Sequence, residues 1–315
     1  MFKTIVASIK LTRPPQWVKN VFVFGALVFA GRMSDVDALL HSLAGFAIFC
    51  MLSSAVYAFN DLLDHREDAV HPTKKHRPVA SGALSPGTAG VISVLLAAGG
   101  TYAASQMPQG FALTAVAYLI LNLLYSLWGK RQVLLDVILI AIGFVLRALA
   151  GAEAISVEVS VWLVVCTFTL CLFLGFGKRR CELATLGTKA QASMHRATLA
   201  SYTPELLTQL LSTTGGIAVI TFLLYTLDPN TPTPSTLVFT TPLVFYAIFR
   251  YAMVISLGEM TGPTDVLIKD RPFLLTAVLW TVLTLGLISP YGQSLEKHLP
   301  QLRYPGEPAA TQPAQ

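Results

Sequence analysis

The chain has 315 residues, of which 54% are hydrophobic and 12% charged; an ordinary soluble domain carries about 25% charged residues. Mean hydropathy is +0.61, and a net charge of +5 gives a pI near 9.0. So apolar a chain would expose large greasy patches in water, which excludes a disordered protein, a soluble nucleic-acid binder, a coiled coil and a disulfide scaffold.

Residues 1–13 place Phe2, Ile5, Val6 and Ile9 on one helical face with Lys3 and Lys10 beside it. That pattern suits a short helix lying in the membrane interface. The apolar stretch is brief and no A-x-A-like cleavage site follows, so a secretory signal is disfavoured. Nine apolar runs then follow, near 19–31, 38–59, 88–106, 110–127, 133–151, 158–176, 208–227, 236–257 and 272–290. Most match the roughly 20 residues that cross a bilayer core. The first is short, with Trp17 as an interface-type residue available to extend it. The runs are continuous rather than alternating, which excludes a membrane barrel and leaves helices. The expected fold class is an all-α integral membrane protein with nine transmembrane helices. Residues 1–304 read as one domain, and the Pro/Ala/Gln-rich stretch 305–315 reads as a disordered tail.

With the N-terminus cytoplasmic, eighteen of the 22 Lys and Arg residues fall on the cytoplasmic side, including Lys189 and Arg196. Arg32, Lys297 and Arg303 fall outside, and Arg147 lies within the fifth run. The bias predicts a cytoplasmic N-terminus, an outside C-terminus and an odd number of spans. The four cysteines, Cys50, Cys166, Cys171 and Cys181, show no CxxC spacing and read as small hydrophobes in helix packing.

The most informative segment begins where the second span reaches the cytoplasm. In Asn60-Asp61-Leu62-Leu63-Asp64-His65-Arg66-Glu67-Asp68, Asp61, Asp64 and Asp68 share a helical stripe about 60° wide, with Asn60 flanking it. Like charges so close repel, and a helix C-terminus disfavours anions. A divalent cation would neutralise the arrangement, and all-oxygen ligands suit Mg²⁺. The bland alternative is a solvated acidic helix end. A basic cluster follows at Lys74, Lys75 and Arg77; cations beside a carboxylate–metal site suit a diphosphate.

Tyr125 and Lys130-Arg131 lie between the fourth and fifth runs, where they suit either phosphate contact or interface anchoring. Asp136 and Arg147 share one face of the fifth run, about 16 Å apart along its axis. Asp136 is expected at the site mouth, and Arg147 against Glu153 or a helix C-terminus. Gly177-Lys178-Arg179-Arg180-Cys181-Glu182 follows the sixth run. One acidic and one basic cluster suggest two different phosphorylated substrates, the metal-bound diphosphate at 60–68 and a metal-free phosphate at Lys178 and Arg179. Asp265 and Asp270 read as capping or turn groups.

Asn60-Asp61-x-x-Asp64-x-x-x-Asp68 with Arg77-Pro78 downstream resembles the first signature of the UbiA-type superfamily of intramembrane prenyltransferases. The resemblance implies nine helices around a cytoplasm-facing cavity. Ordinary members carry a second Asp-rich motif where this chain has Lys178, Arg179 and Arg180. Pro14-x-Gln16-Trp17-Val18-Lys19-Asn20, Gly177-Lys178-Arg179, Ser201-Tyr202-Thr203, Arg250-Tyr251 and Asp270-Arg271 resemble the decaprenyl-phosphate phosphoribosyltransferase branch. That resemblance implies Mg-dependent transfer of 5-phosphoribosyl from phosphoribosyl diphosphate to a polyprenyl phosphate in a bacterial cytoplasmic membrane. Asp61, Asp64 and Asp68 would be catalytic and hold the metal. Asn60, Lys74, Arg77, Tyr125 and Lys130 would contact the donor. Lys178, Arg179 and Glu182, with Arg13 and Lys19, would meet the acceptor. An aromatic prenyltransferase using a prenyl diphosphate, and a transporter, are the alternatives. No nucleic-acid partner is expected, and a homo-oligomer stays open.

Overall fold

The computed structural model describes residues 2–71, 74–184, 197–228, 235–258 and 262–289, with Met260, Gly292 and Ser294. Pro72 and Thr73, the cations Lys189, Arg196, Lys297 and Arg303, and the tail 305–315 lie outside the described residues.

Helix α1 (Phe2–Thr12) precedes the bundle. Among the described residues, eight helices are long and apolar enough to cross a membrane. They are α3 (Val36–Val70), α4 (Pro86–Ser105), α5 (Gln109–Leu127), α6 (Leu135–Ala154), α7 (Val161–Ala184), α8 (Pro204–Thr226), α9 (Thr241–Leu257) and α11 (Arg271–Ile288). The chain is a multi-pass integral membrane protein. Large apolar side chains such as Leu95, Ile120, Leu275 and Val282 face outward, as a lipid solvent permits.

The expected first span takes another form. It is a 3₁₀ helix over Pro14–Phe24 followed by the short α2 (Gly25–Phe29). A 3₁₀ helix rises about 2.0 Å per residue against 1.5 Å for an α-helix, so the two pieces together reach roughly 30 Å, a bilayer core. The ends bear this out. Arg13, before the segment, bonds Asp61 near the end of α3, whereas Arg32, after it, donates to the carbonyl of Ile155 past the end of α6 at 2.8 Å. The segment therefore runs the length of the bundle without being a regular α-helix. It is clamped between α3 and α6, and a Cβ on Gly151 of α6 would meet the Val23 carbonyl oxygen at 1.9 Å.

Two larger apolar cores, with two smaller clusters, hold the bundle. One joins the 14–29 segment to α3, α5 and α6 around Val23, Phe49, Phe111 and Tyr118. The other joins α6 through α9 and the short α10 (Pro263–Lys269) around Phe173, Leu207, Tyr251 and Val266. The turns Lys74–His76 after α3 and Gly129–Arg131 after α5, and the turn Ala197–Ser201 before α8, lie toward one end, where the functional residues collect.

Candidate functional site

Helix α3 starts at Asp35, whose carboxylate accepts from the Ala38 amide at 3.0 Å. That bond, with Arg32 beside it, holds the Asp35 carboxyl below the usual carboxylate range. The helix continues unbroken through Asn60 and the acids to Val70, and leaves helical geometry at His71, the residue before Pro72. The acidic stripe therefore exists as a stripe. Asp61 and Asp68 are buried and Asp64 half-buried, while Glu67 between them is exposed.

Each acid has a cationic partner from another part of the chain. Asp61 pairs with Arg13 and, at 3.4 Å, with Arg77. Arg77 reaches Asp68 at 2.6 Å, and Lys130 pairs with Asp64. Arg13 adopts left-handed backbone, φ 52°, a costly state for a residue with a side chain and next to proline. That turn aims its guanidinium at Asp61 and over the Tyr57 ring, 5.0 Å from its centroid. Among the described residues no three carboxylates, thiols or imidazoles converge tightly enough to enclose a metal. One oxygen of Asp61, Oδ2, is buried with no partner. An orphaned anionic oxygen among carboxylates fits a hard divalent cation.

A second cluster lies beside the first. Arg179 of α7 is 2% exposed. Its Nε donates to Asp136 Oδ2 at 3.1 Å and an Nη to Glu182 Oε2 at 2.5 Å. The Tyr202 hydroxyl donates to Asp136 Oδ1 at 3.1 Å and accepts from the Leu134 amide at 2.8 Å, where Leu134 has a positive φ. Burial, and then the Asp136 carboxylate, push the Tyr202 phenol up to about 12, so it remains a donor. Arg179 and Glu182, expected at the acceptor phosphate, are thus enclosed in an ion-pair network, and Asp136 is its hub rather than a lining group. Lys178, one residue earlier, is half-exposed and 3.9 Å from Glu182.

Asn60 is half-buried beside Asp61, and Lys74 opens the 3₁₀ turn Lys74–His76 that delivers Arg77. Tyr125 of α5 lies within electrostatic reach of Arg179. Lys19 is exposed on the Pro14–Phe24 segment. Arg147 does not pair with Glu153; it binds Asn20, Tyr118 and the Gly143 carbonyl. Asp270 caps α11, accepting from Phe273 at 2.9 Å, and pairs in two-pronged fashion with Arg250. The Arg250 guanidinium holds its carboxyl below the usual range against an opposing effect of burial. Asp265 pairs with Lys269 at 3.4 Å. Asp270 is thus a capping group, as expected, and also ties α11 to α9.

Below the charged end, a cavity of about 770 Å³ runs between the 14–29 segment, α7, α8, α9 and α11. Phe22, Phe29, Leu170, Phe173, Phe222 and Trp280 are among the walls. Among its lining residues Glu158, Ser160 and Asp228 form the far, polar end, where Ser160 donates to Asp228 at 3.1 Å.

The model of the UbiA prenyltransferase family matches residues 20–269. The chain is 32% identical over 280 residues to the decaprenyl-phosphate phosphoribosyltransferase of Corynebacterium glutamicum, covering 86% of this chain and 83% of that one. It is 30% identical over 292 residues to the protein of that name from Mycobacterium tuberculosis, covering 91% and 96%. In fold it is similar to a UbiA homolog from Archaeoglobus fulgidus solved with DMAPP and Mg²⁺, with a TM-score of 0.69, 20% identity and coverage of 93% and 99%. The acidic stripe at the end of α3, the eight spanning helices and these matches agree: the chain belongs to the UbiA prenyltransferase family.

Proposed function

We propose that this chain transfers 5-phosphoribosyl from phosphoribosyl diphosphate to a polyprenyl phosphate and releases diphosphate. The observation that carries the reading is the asymmetry of two helix ends: carboxylates at the end of α3, cations at the end of α7. Two acidic ends would suit one prenyl diphosphate held through metals; one acidic and one basic end suit two phosphorylated substrates. The names of the relatives from C. glutamicum and M. tuberculosis support the same choice.

Asp61, Asp64 and Asp68 would hold Mg²⁺, with Asn60 beside them. When bound, the ion would neutralise charge on the departing diphosphate. Arg77 and Lys130, already at the acids, would turn to diphosphate oxygens, with Lys74 and Tyr125 at the rim. Arg13 would hold the Asp61 carboxylate in place. The acceptor phosphate would meet Lys178 and Lys19, while Arg179 and Glu182 hold the end of α7 in place through Asp136. A phosphate monoester has its second pKa near 6, so it is an anionic nucleophile at neutral pH without a strong general base. Its oxygen forms a bond to C1 of the ribose as the C1–O bond to diphosphate breaks. Positioning supplies much of the rate. The isoprenoid chain would lie in the apolar cavity and leave between helices into lipid. The protein would sit in a bacterial cytoplasmic membrane with its charged end inside.

Purified chain with Mg²⁺, radiolabelled phosphoribosyl diphosphate and polyprenyl phosphate should yield a labelled lipid that requires both substrates. Prenylation of 4-hydroxybenzoate from a prenyl diphosphate, with no labelled lipid, would overturn the reading.

A further inference from the structure

The chemistry above leaves unused a cation buried within the run of a spanning helix. Arg147 of α6 is 6% exposed. Its Nε donates to Asn20 Oδ1 at 2.8 Å, one Nη to the Gly143 carbonyl at 2.9 Å and the other to the Tyr118 hydroxyl at 2.8 Å. The guanidinium also lies over the Tyr118 and Phe144 rings, 4.7 and 5.0 Å from their centroids. Among the described residues no carboxylate pairs with it. Each of its three nitrogens donates to a neutral acceptor, and two aromatic rings pack against the guanidinium. It is a brace between α5, α6 and the Pro14–Phe24 segment.

That segment needs one. Runs of 3₁₀ helix beyond three or four residues are uncommon because their hydrogen bonds are poor, and side chains three apart line up. One edge is therefore Trp17, Asn20 and Val23. Trp17 donates to Ser54 at 3.0 Å, Asn20 donates to Ser53 at 3.2 Å, and Val23 is fully buried. The next edge is Gln16, Lys19 and Phe22. Phe22 lines the apolar cavity. Lys19 lies one turn earlier, about 6 Å along the axis, within electrostatic reach of Arg13 and Arg147. Among the described residues Lys19 has no hydrogen-bond or ion-pair partner. The segment thus has an anchored edge and a presenting edge.

We infer that Arg147 is a positioning residue: by holding Asn20 on the anchored edge, it presents the Lys19 ammonium at the head of the apolar cavity to the phosphate of the lipid acceptor. This rests on the reading of the chain as a polyprenyl-phosphate phosphoribosyltransferase. A lipid whose chain enters beside Phe22 brings its phosphate to the only unpaired cation described on that edge. Arg147 acts on it through geometry, not contact.

The test is binding of farnesyl phosphate to the full detergent-solubilised chain by calorimetry, alongside thermal unfolding and the transfer assay. Arg147→Lys keeps the charge but not the three-way fork. It should weaken farnesyl phosphate binding about tenfold, as should Asn20→Leu, and the double variant should be no weaker than either. Lys19→Ala should weaken binding at least as much. Tyr118→Phe removes another bond of the same guanidinium while leaving Asn20; it should lower the melting temperature and leave binding unchanged. If Arg147→Lys does not fold, Asn20→Leu decides alone. Unchanged binding in Asn20→Leu, or losses that multiply in the double variant, would overturn the inference. Wild-type binding of farnesyl phosphate without transfer from phosphoribosyl diphosphate would overturn the assigned reaction and leave the positioning role standing.

Discussion

Asp61 and Asp64 sit one helical turn apart on the same stripe, yet their surroundings differ enough to separate chemistry from stability. Asp61 is 1% exposed and shared by Arg13 and Arg77; Asp64 is half-buried and paired with Lys130 alone, whose long chain can move aside into water. Asp64→Asn should therefore cut turnover at least about a thousandfold, a transition-state loss of roughly 4 kcal/mol, with a melting temperature close to wild type. Asp61→Asn should lose activity as well, but also about 1–3 kcal/mol of stability, because two guanidinium groups are left without their shared carboxylate. Thermal unfolding and single-turnover rates measured on the same preparations check both; an active Asp64→Asn would remove that residue from the metal site. The stripe was legible because it needs only one period, 3.6 residues, and one continuous helix. The partnership of Arg179 with Asp136 was not, because it joins residues 43 apart, and a row of three cations looks the same in sequence whether it grips a ligand or braces a helix. The one available signal was Asp136 itself, since an acid at the start of a spanning helix seeks a partner on a neighbouring one.

The apolar runs located the spanning helices because a helix in lipid satisfies its own backbone and needs no partner to be recognised, but α3 and α7 continue 11 and 8 residues past their runs, as polar helix that carries the charged clusters. The 14–29 segment escaped for the opposite reason. Its shape is set by α3 and α6, far away in sequence, and nothing in Pro14-Pro15-Gln16-Trp17 announces a 3₁₀ period over the following turns. It packs tightly on α6 at Gly151, whose added Cβ would sit 1.9 Å from a backbone oxygen. A backbone carbonyl cannot swing aside as a side chain can, so Gly151→Ala should push the whole segment off α6. The expected cost is about 1–3 kcal/mol, the range for overpacking, together with weaker use of the lipid substrate, because Lys19 moves with the segment. Gly216→Ala on α8 is the matched control: a Cβ there meets nothing within 4 Å, and alanine favours a helix by up to about 1 kcal/mol. Melting temperatures and KM for polyprenyl phosphate should fall and rise, respectively, in the first variant only. Equal behaviour of the two would mean that the segment is not held at Gly151.

At the scale of the whole molecule, the crossing made by the 14–29 segment matters more than its regularity. Arg13 at one end and Arg32 at the other show the 14–29 segment traversing the bundle. Its crossing puts the loops after α3 and α5, with the end of α7, at the end where Lys130 meets Asp64 and Arg179 meets Asp136. Counting only the eight long helices would divide those loops from α1 and from Arg13, against the contact between Arg13 and Asp61. The positive charge that gathers at this end is what the lysine and arginine bias expects of a cytoplasmic face, and both proposed substrates carry phosphates suited to it. Cysteine substitution can establish the side directly, since Cys50, Cys171 and Cys181 are buried and Cys166 half-buried, leaving little background. Ser81→Cys, exposed in the loop after α3, should react with a membrane-impermeant maleimide in inside-out vesicles only. Ser105→Cys, exposed at the far end of α4, should react in right-side-out vesicles only. The reverse pattern would place the acidic stripe outside the cell, away from any cytoplasmic diphosphate donor. Labelling of both positions from one side would mean that α4 does not cross.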